Sequence, residues 1–258
     1  MLKLMAALNR MGILPRLLEF RHYSPTSNGC QHNSYEKRTF LAPSLVRIET
    51  CDYGWPITHR PIDMKINRYL MAQNTSIRQM SWLQSYSSSL RHLTLCLYPL
   101  SHRDQVDLDD IKVDLPSLAT LNLSVAFVQD FLYMLARFEI PKLKYLIFME
   151  HFLIERPNLS LPSRPRSLNF PSLQELHVLG QEGIFAEDIL EVIMAIASQK
   201  LTKLVLKLQP SDNVAKISKT RFFYPLVTYV NIFTAPWFRG KCAAILLSQF
   251  DFPLLKAL

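Results

Sequence analysis

Apolar and polar residues in this chain alternate in short bursts that return at a nearly constant step. The fullest burst reads Leu115-Pro116-Ser117-Leu118-Ala119-Thr120-Leu121-Asn122-Leu123. It recurs as Ile140-Pro141-Lys142-Leu143-Lys144-Tyr145-Leu146-Ile147-Phe148 and as Phe170-Pro171-Ser172-Leu173-Gln174-Glu175-Leu176-His177-Val178. Leu90-x-x-Leu93-x-Leu95 and Leu201-x-x-Leu204-x-Leu206 lack the proline, and Pro225-x-Val227-x-x-Val230-x-Ile232 keeps it with β-branched replacements. Pro15-x-Leu17-x-x-Phe20 and Pro43-x-Leu45-x-x-Ile48 extend the series backwards, and Phe252-Pro253-Leu254-Leu255 opens a last copy. The first apolar anchors stand at positions 17, 45, 90, 118, 143, 173, 201, 227 and 255, so the steps are 28, 45, 28, 25, 30, 28, 26 and 28. The one long step reads as a repeat plus an insertion at about 52–81.

Each burst predicts a short strand, because alternate residues of a strand share a face and Leu-x-Leu puts two on the buried side. The proline precedes the strand, where its missing N–H costs the ladder least. Parallel strands require a crossover, and the segments between bursts supply one. Val128–Phe138 and Glu187–Ala197 carry apolar residues at helical spacing, the second with acids near its start where the helix dipole favours them. Lys241–Phe250 is a shorter third case. The expected fold class is therefore α/β: a leucine-rich-repeat solenoid of irregular repeats of about 25–30 residues, with a concave parallel β-sheet and convex helices. It is read as a single domain over residues 1–258, with incomplete terminal repeats.

The phrase Pro-Ser-Leu-x-x-Leu-x-Leu at this irregular spacing resembles the repeat region of fungal F-box/leucine-rich-repeat proteins, and the resemblance runs from about Leu14 to Leu258. It implies a protein-interaction scaffold, the substrate-recognition part of an SCF ubiquitin ligase component, in which an F-box of roughly 45 residues docks on a Skp-type adaptor. Leu14-Pro15 with Leu17 and Leu18 is similar to the opening of an F-box, but these residues fall in register with the repeats, and Tyr23–Ser27 breaks any helix. No F-box is therefore read within the chain, and a Skp-type adaptor is an expected partner only if an F-box lies upstream.

Composition narrows the function classes. The chain is 49% hydrophobic and 19% charged, enough to build a core. With six glycines it is too poor in glycine for a Gly-rich nucleotide fold. There is no GxSxG elbow, P-loop, HExxH or GxGxxG, so no catalytic, cofactor-binding or metal residue is named and the chain is expected not to be an enzyme. Cys30, Cys51, Cys96 and Cys242 are scattered without CxxC or zinc spacing. The apolar N-terminal stretch is interrupted by Lys3, Asn9 and Arg10, and no run approaches the ~20 residues a spanning helix needs. A cytoplasmic or nuclear protein with no membrane partner is expected. The net charge of +8 suits acidic partners and sustains an alternative reading as a basic protein bound to nucleic acid or a membrane surface. Nucleic acid is the weaker expectation, since no recognition module or aromatic platform accompanies the charge. A second alternative is a truncated, non-functional repeat fragment prone to self-association, suggested by the bare apolar edge of Leu254, Leu255 and Leu258 and by Met1–Met11.

The repeat register sorts the outward residues of the strands into three rows. The first is Glu19, Arg47, His92, Thr120, Tyr145, Glu175, Lys203 and Tyr229; the second is Arg21, Glu49, Thr94, Asn122, Ile147, His177, Val205 and Asn231. The third is Tyr23, Cys51, Cys96, Ser124, Met149, Leu179, Lys207 and Phe233. Tyr145, Ile147, Met149 and Leu179, apolar beside Glu175 and His177, make the composition of a protein interface. With Lys203 and Tyr229 they form the candidate partner-binding site on the concave face. Other readings are bland: a solvated acidic loop around His102–Asp110, an exposed crossover at Arg156–Arg166, and a basic neighbourhood at Lys203, Lys207, Lys216, Lys219 and Arg221. Cys51 and Cys96 share a row, and would sit on neighbouring strands if the insertion looped out.

Overall fold

A computed structural model describes residues 19–22, 47–50, 63–67, 83–84, 87–96, 112–125, 128–150, 168–180, 186–208, 222–234, 244 and 247–256. In chain order the strands are β1 (Glu19–His22), β2 (Arg47–Thr50), β3 (Asp63–Asn67), β4 (His92–Cys96), β5 (Val113–Asp114), β6 (Thr120–Val125), β7 (Phe138–Glu139), β8 (Tyr145–Glu150), β9 (Leu168–Asn169), β10 (Glu175–Gly180), β11 (Ile196–Ala197), β12 (Lys203–Leu208), β13 (Phe222–Phe223), β14 (Tyr229–Thr234) and β15 (Phe250–Asp251). Helix α1 (Val128–Leu135) follows β6, and α2 (Ala186–Ala195) follows β10.

The architecture is α/β, dominated by parallel strands. Nine of them form one sheet in the order β1-β2-β3-β4-β6-β8-β10-β12-β14, each beside its sequence neighbour of the same kind. The registers put like positions of the burst side by side: Leu93↔Leu121, Leu121↔Leu146, Leu146↔Leu176, Leu176↔Leu204 and Leu204↔Val230. The carbonyl preceding one strand accepts two N–H groups from the start of the next. Arg91 O takes Ala119 N and Thr120 N at 2.8 and 3.0 Å, Ala119 O takes Lys144 N and Tyr145 N at 2.8 and 3.0 Å, and Lys144 O takes Gln174 N and Glu175 N at 2.9 and 3.0 Å. Lys256 N bonds Thr228 O at 3.0 Å, so the copy opening at Phe252 joins the same series.

Two features differ from the sequence expectation. The stretch 52–81, expected to be an insertion, contains β3, which pairs with β2 on one side and β4 on the other. The registers Ile48↔Met64, Met64↔Leu93 and Ile66↔Leu95 show that Met64 and Ile66 hold the positions that leucines hold elsewhere. With Pro61 rather than a leucine at the anchor position, the Leu-based pattern passes over this strand. As a consequence β2 and β4 are not neighbours, and the expected adjacency of the strands approaching Cys51 and carrying Cys96 does not hold; Cys51 itself lies outside the described residues.

The second difference concerns the helix ends. Phe138 and Ile196–Ala197, expected to be helical, belong to β7 and β11, and Phe250 belongs to β15. These two-residue strands pair in parallel as β5 with β7, β9 with β11 and β13 with β15. A tight corner separates them from the long strands: Leu118 N bonds Leu115 O, Leu143 N bonds Ile140 O, Leu173 N bonds Phe170 O and Leu255 N bonds Phe252 O, at 3.1–3.2 Å. The proline of the burst is therefore the second residue of a β-turn, where its fixed φ suits the bend. Val113-x-Leu115, Phe138-x-Ile140, Leu168-x-Phe170, Phe222-x-Tyr224 and Phe250-x-Phe252 all alternate just before a proline, the signal that marks these strands.

The core lies on one side of the long strands. Leu118, Leu121, Leu123, Leu143, Leu146, Phe148, Leu173, Leu176, Val178, Leu201, Leu204 and Leu206 are all buried. The helices pack on this side: Phe131 and Leu132 of α1 and Ile189 and Val192 of α2 join the same cluster, and the Phe131 and Phe148 rings lie 4.3 Å apart, tilted by 31°. Tyr224 ties the short strands to α2 by donating from its hydroxyl to Ile193 O at 3.4 Å, and burial pushes its phenol up to about 12. Among the described residues no helix is long and apolar enough to cross a membrane.

Candidate functional site

The eight residues singled out from the sequence stand on one face of four adjacent strands, opposite the core. Tyr145, Ile147 and Met149 lie on β8, Glu175, His177 and Leu179 on β10, Lys203 on β12 and Tyr229 on β14. The ladder aligns them as Tyr145↔Glu175↔Lys203↔Tyr229, with Ile147↔His177 and Met149↔Leu179 in the rows beyond. Alternation forces this placement, since Leu146, Leu176, Leu204 and Val230 turn to the core and their neighbours must point the other way.

A polar chain crosses the first row. Lys203 Nζ lies 3.0 Å from Glu175 Oε2, and His177 Nε2 lies 3.3 Å from the same oxygen. Lys203 Nζ also sits 5.6 Å from the centre of the Tyr229 ring, within cation–π range. Asn231 donates from Nδ2 to the Tyr229 hydroxyl at 3.2 Å. Partial burial of Glu175 acts to raise its pKa. The hydrogen bonds from Lys203 and His177, with their charge, outweigh it and hold the carboxyl below its ordinary value. The carboxylate is thus a fixed anion with its ligands supplied from its own and the neighbouring strand.

The apolar part of the site is less open than its composition predicts. Tyr145 and Tyr229 are each 38% exposed, but Ile147, Met149 and Leu179 are half-buried and Val205 is buried. Side chains of one row are roughly 4.8 Å apart in a sheet and shield one another. Asn231, which bonds the selected Tyr229, and the exposed Phe233 were not selected from sequence, although both stand in the outward rows on β14. Their row membership is the signal that finds them.

Comparison of the chain with models of known families, with curated proteins and with solved structures finds no match, so the face is interpreted from its own chemistry. The polar groups are already paired with one another, and among the described residues no group of three or more His, Cys, Asp or Glu side chains is arranged to hold a metal ion. The His102–Asp110 cluster, the Arg156–Arg166 loop, Cys51, Lys216, Lys219 and Arg221 lie outside the described residues.

Proposed function

We propose that the chain is a leucine-rich-repeat solenoid that acts as a protein-interaction scaffold and not as an enzyme, with the face carrying Tyr145, Glu175, Lys203 and Tyr229 as its concave binding surface. The observation that carries this reading is the aligned row itself: two exposed tyrosines flanking a hydrogen-bonded ion pair on an ordered sheet. Tyrosine supplies large contact area at low entropic cost, and a pre-ordered surface loses little freedom on association. In its fuller form the proposal makes the chain the substrate-recognition repeats of an F-box-like ubiquitin ligase component, working in the cytoplasm or nucleus. The repeat phrase supports that form through its resemblance to such proteins.

Site-specific cross-linking tests the scaffold. A photo-reactive residue at Tyr145 or Tyr229 is expected to cross-link a defined partner protein in cells, and the same group at Met194, exposed on α2, is not. Equal capture from both positions, or capture from Met194 alone, would overturn the assignment of the face. The ligase form is tested separately by co-purifying the product of the whole natural coding region with a Skp-type adaptor. Absence of the adaptor from that preparation would remove it.

A further inference from the structure

The charges on this face specify what kind of segment it accepts. Among the described outer positions of β4 through β14, Glu175 is the one acid, against Lys203, Lys207, His92 and His177. Glu175 is already engaged by Lys203 and His177 on a single oxygen. The face therefore presents a net positive field in which its own carboxylate occupies the place an incoming carboxylate would take. On β8 and β10 beside that place lie Tyr145, Ile147, Met149 and Leu179, none more than half exposed.

Resting on the binding reading above, we propose that the face selects an acidic, aliphatic-rich segment of a partner protein in extended conformation. Three inter-strand steps separate Tyr145 from Tyr229, a span of about 14 Å, which roughly four extended residues cover. A carboxylate of that segment takes Lys203 Nζ in place of Glu175, with the Tyr229 ring on the far side of the ammonium. An aliphatic side chain two residues on, about 7 Å along the segment, reaches the β8–β10 side of the face, where Tyr145 and Ile147 lie. Glu175 is a built-in competitor: it keeps Lys203 ordered when the face is empty and sets how much an acidic ligand gains by displacing it.

That role makes a prediction of unusual sign. Removing the one acid should strengthen binding of an acidic ligand, whereas for a basic ligand it would remove the attractive charge and weaken binding. The test uses the full chain and three fluorescent probes: a short peptide with glutamate and leucine two residues apart, its lysine–leucine counterpart, and a duplex oligonucleotide. Circular dichroism on each variant checks that the fold is kept. The acidic peptide should bind, Lys203→Glu should weaken it by about tenfold or more, and Glu175→Gln should tighten it by roughly threefold, as expected for close charge pairs at an interface.

Preference for the lysine–leucine peptide, or weakened acidic-peptide binding in Glu175→Gln, overturns the proposal. So does an oligonucleotide that binds as tightly and responds equally to Lys203→Glu, which would mark a general polyanion surface whose affinity falls steeply with salt. Lack of binding by any probe overturns it as well. The scaffold reading fails separately: a partner cross-linked at Tyr145 through a basic segment would retain the scaffold and remove the acid preference. An acidic peptide bound with no protein captured at Tyr145 or Tyr229 would do the reverse.

Discussion

The two faces of the long strands are built from the same residues in alternation, yet they obey different rules. On the core face almost every position is leucine, valine, isoleucine or phenylalanine, and from β4 to β12 the described ones are buried. On the opposite face the aligned row of β8 to β14 changes at each step, from tyrosine to glutamate to lysine to tyrosine. The core positions repeat because each turn must meet the next with the same volume, since protein interiors are close-packed. The outer positions meet solvent or a partner and are free to differ. Constancy on one face is what allows variety on the other.

The sharpest way to break this contrast is to remove volume from the constant face. Phe148 is fully buried against Phe131, so Phe148→Ala should cost about 3–5 kcal/mol in chemical denaturation. Removing side-chain volume from the outer face by Tyr145→Ala should cost only about 1–2 kcal/mol, because that ring is already partly in water. Equal losses from the two substitutions would show that the outer face is packed against something and is not a surface.

The second largest effect is on the core side and depends on pH. Tyr224 has its phenol raised to about 12 by burial, so the folded state prefers the neutral form. Its contribution is fully present below the ordinary tyrosine value of about 10 and is lost as pH rises through the folded value. The loss approaches roughly 2–3 kcal/mol. Tyr224→Phe should flatten that part of the stability curve between about pH 10 and 12. A wild-type slope that survives the substitution would assign the alkaline transition to other groups.

The contrast between faces also explains what the sequence made legible. The parallel strands could be read because their core positions are constant: the bursts locate eight of the nine strands of the main sheet, and the rows derived from them match the observed pairing Tyr145↔Glu175↔Lys203↔Tyr229. β3 escaped because Met64 and Ile66 serve the same positions with different residues. The two-residue strands escaped because Phe138-x-Ile140 and Phe222-x-Tyr224 are too short to separate from a helix end or a turn by periodicity. In the candidate site the row membership was legible and the interactions were not. Nothing in the spacing told that Lys203 and His177 converge on one oxygen of Glu175, or that Val205 is buried on a face otherwise expected to be open. Those outcomes depend on rotamers and on neighbours about 28 residues away, which row position alone does not determine.

The smallest predicted effect distinguishes the faces by the direction of pH change. Glu175 has a lowered pKa because Lys203 and His177 stabilise its charge against the opposing effect of burial. A lowered folded value means that its contribution is present above the ordinary glutamate range near 4.3 and is lost as pH falls through the folded value. The Glu175 ion pair should therefore lose a small increment of stability on acidification, where Tyr224 loses nothing. Glu175→Gln keeps the shape of the side chain and removes its charge, so wild type and variant should differ in denaturant midpoint at neutral pH and converge as pH falls through the lowered folded value. If instead the variant matches wild type at neutral pH, the ion pair contributes no net stability, as many partly exposed pairs do not. In that case Glu175 serves the face as a ligand competitor alone, and its effect would appear in peptide affinity without any change in folding.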